Sequence, residues 1–350
     1  MKFLIIGPSW VGDAVMAQTL YKLIKDSNKE AQIEVLSPNW SMPILERMEE
    51  VSRSIISPFN HGELKIKTRF DIGKQLREEG YQRAIVMTNS LKSSLIPFFA
   101  KVPVRTGWLG EMRFGLINDI RPKEKSNYPL MVEQFAKLSI NPIEDLNKKL
   151  PYPSLRIDSR NLKEQLINLE IDSEKPSIAI CPGAEFGPAK KWPSNYYAEV
   201  CNEYLTNGWN VLVFGSLNDE ITGNSIQEGI YKELSDHFYN LIGQTSLMDA
   251  IDLLSHCKKV VTNDSGLMHI AAAVNTPLVA VYGPSSPQFT PPLIDNHVIL
   301  RKSEGFDKAR EGSEEHGYHD SLIAIKPSEV LEGLDRLNND PNKKNSNTLI

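Results

Sequence analysis

The feature that most constrains this 350-residue chain is an alternation of short apolar runs with helical patterns, and the alternation occurs twice. In the first half Phe3–Ile6, Ile33–Leu36, Ser54–Ser57 and Ala84–Thr88 read as strands. Helical spacing marks Asp13–Lys25, Pro43–Met48, Phe70–Glu79 and Leu91–Ala100, and a further helical segment, Leu130–Ser139, follows a Gly- and Arg-containing loop at Thr106–Asn118. Strands alternating with helices imply βαβ units and a parallel sheet. Residues Asn141–Asp158, rich in Pro, Asn and Lys, read as a connector. The pattern then restarts. Strands are expected at Ser177–Cys181, Asn210–Phe214, Lys259–Thr262, Pro277–Tyr282 and His297–Arg301. Helices are expected at Ser194–Thr206, Glu220–Leu234, Ser246–Ser255, Gly266–Ala273 and Pro327–Leu337. The expected architecture is α/β: two Rossmann-like domains, 1–158 and 159–326, facing a central cleft, then a C-terminal helix at 327–338 and a frayed tail at 339–350.

Composition narrows the class. Three widely spaced cysteines, Cys181, Cys201 and Cys257, argue for a reducing compartment and against a disulfide framework or a metal knuckle. The start, Met1-Lys-Phe-Leu-Ile-Ile6, has the flavour of a signal peptide, but Gly7-Pro8 and Gly12-Asp13 cut its apolar run short. No apolar stretch is long enough to cross a bilayer. Residues 1–150 hold 22 Lys and Arg against 17 Asp and Glu, in a chain whose net charge is −5. The basic excess of that half suits an anionic partner, either an acidic sugar or a phosphorylated lipid surface.

The most informative stretch is Lys259–Ala273. A β-branched strand stops at Asn263-Asp264-Ser265-Gly266, and a small, apolar helix begins. Helix starts present unpaired N–H groups and the positive end of a dipole, which suits a phosphate or diphosphate. Ser265 or Asp264 is available as cap, and Gly266 lets a ligand approach the backbone. His269, four residues after Ser265, either hydrogen-bonds that ligand or sits satisfied in the core. The segment Cys181-Pro-Gly-Ala-Glu-Phe-Gly-Pro-Ala-Lys-Lys-Trp-Pro193 is a stiff loop carrying Lys190 and Lys191 before a helix with Pro193 at its first position. Lysines at a strand's carboxyl end can neutralise a leaving diphosphate. Glu220, after the turn Phe214–Asp219, suits a ribose or base contact.

The first strand runs into Gly7-Pro-Ser9-Trp10-Val-Gly12-Asp13. The spacing is that of a P-loop, but Asp13 stands where such a loop needs Lys, which excludes an ATPase. Asp13 either caps the helix or acts as general base toward a bound hydroxyl, held ionised by the helix dipole. Asn89, Lys92, Arg105 and Arg113 add polar and cationic groups near strand ends, suited to an acidic acceptor. No G-x-G-x-x-G follows either opening strand, which counts against a nicotinamide-dependent oxidoreductase. There is no metal-ligand spacing, no G-x-S-x-G elbow and no basic–aromatic nucleic-acid signature.

Several long strings, in order, closely resemble the bacterial lipopolysaccharide heptosyltransferases. They are Gly7–Asp13, Asn89–Ser93, Arg105–Asp119, Cys181–Pro193, Asn263–His269 and Tyr282–Pro287, and the match runs over nearly the whole chain. The resemblance implies a GT-B fold with the acceptor on the first domain and ADP-heptose on the second. It implies an inverting transfer without a metal or other cofactor, onto a heptosyl-Kdo2-lipid A acceptor at the cytoplasmic face of the inner membrane; the missing basic–aromatic signature leaves no nucleic-acid partner expected. It assigns Asp13 as catalytic base and Lys190 as the lysine facing the departing diphosphate. Asp264, Ser265, Gly266 and His269 become the nucleotide-sugar segment, to which the turn reading above adds Glu220. Ser9, Trp10, Asn89, Lys92, Arg105 and Arg113 are the expected acceptor groups. A non-catalytic nucleotide-sugar or lipid-binding protein on the same scaffold is the alternative.

Overall fold

The structure, a computed structural model, describes residues 1–60, 62–121, 128–139, 150–184, 187–303 and 317–337. The expected tail, most of the connector, the Glu185–Phe186 part of the proline-rich loop and His316 lie outside the described residues.

The chain divides into two units, Met1–Pro153 and Ser154 onward. The expected boundary lay five residues later. Residues 154–158 belong with the second unit because the Leu155 N–H donates to the Ala273 carbonyl and the Asp158 N–H to the Asp252 carboxylate.

The first unit holds strands β1 (Lys2–Ile6), β2 (Gln32–Pro38), β3 (Val51–Ser57), β4 (Arg83–Val86), β5 (Val104–Trp108) and β6 (Asp119–Arg121). Its helices are α1 (Val11–Met16), α2 (Gln18–Ser27), α3 (Met42–Glu46), α4 (Ile66–Leu76), α5 (Leu91–Phe99) and α6 (Met131–Lys137). The second unit holds β7 (Ser177–Cys181), β8 (Asn210–Val213), β9 (Phe238–Asn240), β10 (Lys259–Asn263), β11 (Leu278–Tyr282) and β12 (His297–Arg301). Its helices are α7 (Ser159–Asn168), α8 (Ser194–Thr206), α9 (Glu220–Glu228), α10 (Leu247–His256), α11 (Gly266–Ala273), α12 (Asp320–Ile323) and α13 (Pro327–Arg336).

Both sheets are parallel, with orders β3-β2-β1-β4-β5-β6 and β12-β11-β10-β7-β8-β9. Counted from each unit's own first strand, the two orders are the same Rossmann order, one read backwards. β7 and β11 are buried at every position, as strands covered on both faces must be, and apart from Ser177 they read as apolar runs. Order reverses between β1 and β4 in the first unit and between β7 and β10 in the second. Ligands of such sheets sit beyond the carboxyl ends of the strands at these switch points. Among the described residues no helix is long and apolar enough to cross a membrane.

The expected loop at Thr106–Asn118 begins inside β5 and runs to the edge of β6. The expected helix Asp13–Lys25 is two helices meeting at Ala17, and Glu220–Leu234 ends as an α-helix at Glu228, giving way to a 3-10 stretch at Lys232–His237. α7 lay unrecognised beside the connector.

Candidate active site

In the second unit the loops after β7 and β10 meet at the switch point. Asn263, fully buried at the end of β10, joins them. Its Nδ2 donates to the Pro182 carbonyl (2.6 Å), while its Oδ1 accepts from the Trp192 N–H (3.2 Å) and the Tyr197 hydroxyl (2.9 Å). Trp192 is the anchor of the lysine-bearing loop. Its buried ring meets Tyr197 edge-on at 4.8 Å, and its Nε1–H donates to the Ile325 carbonyl (3.0 Å). With the chain fixed on both sides, Lys190 Nζ reaches Asp264 Oδ2 at 2.5 Å across the switch point.

The turn differs in detail from its expected form. Ser265 is the N-cap residue of α11, yet its side chain makes no cap hydrogen bond; its hydroxyl lies 3.4 Å from Thr262 Oγ1. Asp264 is held by Lys190 instead of capping. Among the described residues, therefore, no side chain covers the first-turn N–H groups of α11, and a cation stands beside them. That combination can receive a diphosphate. Pro193 is the N-cap of α8, one position earlier than expected, because Ser194 is the first residue with helical hydrogen bonding.

His269 is buried, and burial pushes its pKa down to about 4; neighbouring Asp264 opposes the shift and Lys190 adds to it. The imidazole is therefore neutral near pH 7 and carries no charge to offer a phosphate.

Sequence reasoning missed the role of the second lysine. Lys191 Nζ binds Asp219 Oδ1 (3.0 Å) and Thr222 Oγ1 (3.3 Å), and Asp219 Oδ2 accepts from the N–H and hydroxyl of Ser216. A Cβ on Gly183 would stand 2.6 Å from Asp219 Oδ2, so glycine is required for the β7 loop to pass this carboxylate. Glu220, the expected ribose contact, is exposed at the start of α9, and the buried carboxylate of that turn belongs to its neighbour Asp219. The doublet Asp219-Glu220 at a strand end was the available signal.

In the first unit the loop after β1 is pinned to β2. The Gly7 N–H donates to the Leu36 carbonyl (2.9 Å), Ser37 Oγ donates to the Pro8 carbonyl (3.1 Å), and Trp40 Nε1 donates to the Ser9 carbonyl (2.7 Å). Ser9 and Trp10 are exposed, and Asp13 is half-buried in the first turn of α1. Trp10, not Asp13, holds the N-cap position. Across the switch point, Asn89 is exposed after β4, and Lys92, half-buried, is the second residue of α5.

The two arginines are a correction. Arg113 is 1% exposed; its Nε and Nη2 donate to the Trp108 carbonyl and its Nη1 to the carbonyls of Thr88 and Ser90. Arg105 donates to the carbonyls of Leu116, Val102 and Gly115. A guanidinium occupied by loop carbonyls shapes the loop and does not present its fork to an acceptor.

A family model described as Glycosyltransferase family 9 (heptosyltransferase) matches residues 69–319. Lipopolysaccharide heptosyltransferase 2 of Escherichia coli (strain K12) is 47% identical over 342 residues, covering 96% of this chain and 98% of that one. Lipooligosaccharide heptosyltransferase 2 of Haemophilus influenzae is 47% identical over 347 residues, covering 96% and 99%. The solved structure of E. coli ADP-heptose lps heptosyltransferase II superposes with a TM-score of 0.88 at 44% identity, covering 96% and 98%. With two doubly wound units, lysine–carboxylate pairs at the second switch point and this degree of identity along nearly its whole length, the chain has the GT-B fold and belongs to glycosyltransferase family 9, the heptosyltransferases.

Proposed function

We propose that the chain moves L-glycero-D-manno-heptose from ADP-heptose onto the first heptose of the lipopolysaccharide inner core, with inversion at the anomeric carbon. The observation that carries this reading is Lys190 at 2.5 Å from Asp264, beside the α11 start that no side chain caps among the described residues. That is a place where a departing nucleoside diphosphate would be neutralised. The donor named for the 44%-identical solved structure, ADP-heptose, agrees with it.

The second unit holds the donor. Lys190 and the N–H groups of Ser265 and Gly266 take up the charge of ADP, the neutral His269 hydrogen-bonds the nucleotide sugar, and Glu220 contacts the ribose side. The first unit holds the heptosyl-Kdo2-lipid A acceptor with Ser9, Trp10, Asn89 and Lys92. Arg105 and Arg113 hold the neighbouring loop in shape. Asp13 accepts the proton of the attacking hydroxyl, that oxygen bonds to the anomeric carbon, and the bond from that carbon to the diphosphate oxygen breaks as ADP leaves. No step calls for a cofactor. The reaction takes place at the cytoplasmic face of the inner membrane, where a lipid-linked acceptor presents its sugar.

The test is the anomeric configuration of the product, read by NMR after reaction of ADP-heptose with a truncated lipopolysaccharide carrying one heptose. Inversion with acceptor-dependent ADP release supports the proposal; retention, or transfer from a different nucleotide sugar in preference, overturns it.

A further inference from the structure

The first unit carries an apolar surface that the reaction does not use. Leu64, Ile66 and Phe70 are exposed at the start of α4, Phe98 is exposed on α5, and the loop after β5 exposes Met112 (84%) and Phe114 (65%). Contacts make this one surface. Phe70 meets Phe99 edge-on at 5.3 Å, and Phe99 meets Phe98 at 5.8 Å. The Arg105 guanidinium lies over the Phe98 ring at 5.6 Å and holds the Gly115 and Leu116 carbonyls, next to Phe114. At the other end Arg69 ties the carbonyls of Glu63 and Leu64 to that of Lys92, and the Glu111 carboxylate accepts from the Leu91 N–H, next to Met112. Contiguous exposed apolar patches of this kind mark interaction sites.

Charge says which partner. Residues 62–77 hold five Lys and Arg against two acidic residues, and residues 91–116 hold four against one, in a chain of net charge −5. Of these cations Lys65, Lys67, Lys74 and Lys101 are exposed; the acidic groups nearby are Glu63, paired with Lys65, Asp71, Glu111 and Glu78, which lies in one surface groove with Asp71, Lys74 and Arg77. Backbone strain points to the same loops. Lys65 (φ 38°), Glu111 (φ 42°) and Met112 (φ 47°) are non-glycine residues in left-handed conformation, and they stand where Leu64, Ile66, Met112 and Phe114 are turned to solvent. Strain of this kind persists only when the surroundings enforce it, and it collects at functional segments.

We propose that this face of α4, α5 and the 109–116 loop docks the first unit on an anionic lipid surface, the apolar side chains entering the headgroup region and the lysines meeting the lipid charge. It rests on the lipid-linked acceptor reading for its purpose. α5 starts two residues after Asn89, so the docked face adjoins the proposed acceptor groups and brings them to a sugar whose lipid stays in the bilayer.

The test is sedimentation of the full chain with vesicles of phosphatidylcholine alone or mixed with phosphatidylglycerol, without donor or acceptor. The expected result is at least roughly tenfold stronger partition onto the mixed vesicles, weakened by high salt. Met112→Ser with Phe114→Ser, and separately Lys67→Glu with Lys74→Glu, should each weaken it roughly fivefold or more. ADP release with a deacylated, soluble acceptor should stay at the wild-type level in both. Equal partition of wild type onto both vesicles, or unchanged partition of the variants, overturns the proposal. So does a dimer in solution that the Met112/Phe114 variant dissociates, which would make the face an interface between copies. Loss of soluble-acceptor turnover in the folded variants would assign the face to sugar binding instead. Failure of the heptosyl reading would leave vesicle binding untouched, so the two failures are distinct.

Discussion

Removing the ammonium of Lys190 leaves the carboxylate of Asp264, 8% exposed, without the cation that stands 2.5 Å from it. At an effective dielectric near 20, two unit charges at that distance attract by about 7 kcal/mol. Most of that is offset by what both groups lose in leaving water, so the net effect shows only when one partner is deleted. For a fully buried pair the deletion costs about 3–5 kcal/mol. The Lys190 side chain is 20% exposed, so water can enter when it is removed, and roughly 2–3 kcal/mol is expected for Lys190→Met. Asp264→Asn should cost a similar amount. The double variant removes both charges together and should cost about 2 kcal/mol less than the sum of the single changes. Unfolding in urea, read by hydrogen exchange at the amides of β10 and α11, isolates the unit that carries the pair. Additive single costs would show instead that the two side chains are neighbours without coupling.

Other outcomes follow from the same geometry. His269 binds its proton less tightly folded, with a pKa of about 4, than at its ordinary 6.5. Its contribution is therefore complete above pH 6.5 and is lost as pH falls toward 4, by up to about 3 kcal/mol. Urea midpoints across that window should flatten in His269→Gln, and an unchanged slope would count against the assignment. A Cβ on Gly73 would stand 2.5 Å from Phe99 Cβ and 2.9 Å from the Ile96 carbonyl. Gly73→Ala should thus destabilise the first unit by roughly 2 kcal/mol, against the ~1 kcal/mol that alanine gains in a helix; a net gain in thermal stability would show that α4 can move off α5. Gly183→Ala places its methyl against Asp219 and should displace Lys191, costing about 1–3 kcal/mol in urea unfolding.

The frame of this fold was legible where periodicity and burial agree. β7, β12 and α11 lie at their expected bounds because each has a distinct apolar signature. β5 was hidden by its composition: Val104-Arg-Thr-Gly-Trp108 carries a cation and a glycine, and a Cβ on Gly107 would sit tightly, 3.3 Å from the Val86 carbonyl oxygen. β6 and β9 are three residues each, too short for any period to show. α7 has no buried residue, so nothing in its pattern separates it from a connector. Its cap was readable all the same: Asp158 accepts from the N–H groups of Arg160 and Asn161.

In the site, the strand-end segments were visible as motifs, but their pairings were not. Lys190 and Asp264 are 74 residues apart, and Lys191 and Asp219 are 28 apart, distances that only the sheet order closes. The same limit explains Arg105 and Arg113. A sequence shows two guanidinium groups at strand ends; it does not show the loop carbonyls that occupy them.

The most direct measurement is ADP release from ADP-heptose, with and without a truncated lipopolysaccharide carrying a single heptose, for wild type and Asp13→Asn. Release should require the acceptor and fall by roughly a hundredfold or more in the variant, with ADP affinity retained. Undiminished release in Asp13→Asn would contradict Asp13 as the base. No release from a folded, ADP-binding wild type would contradict heptosyl transfer itself and leave a nucleotide-sugar-binding protein on this scaffold.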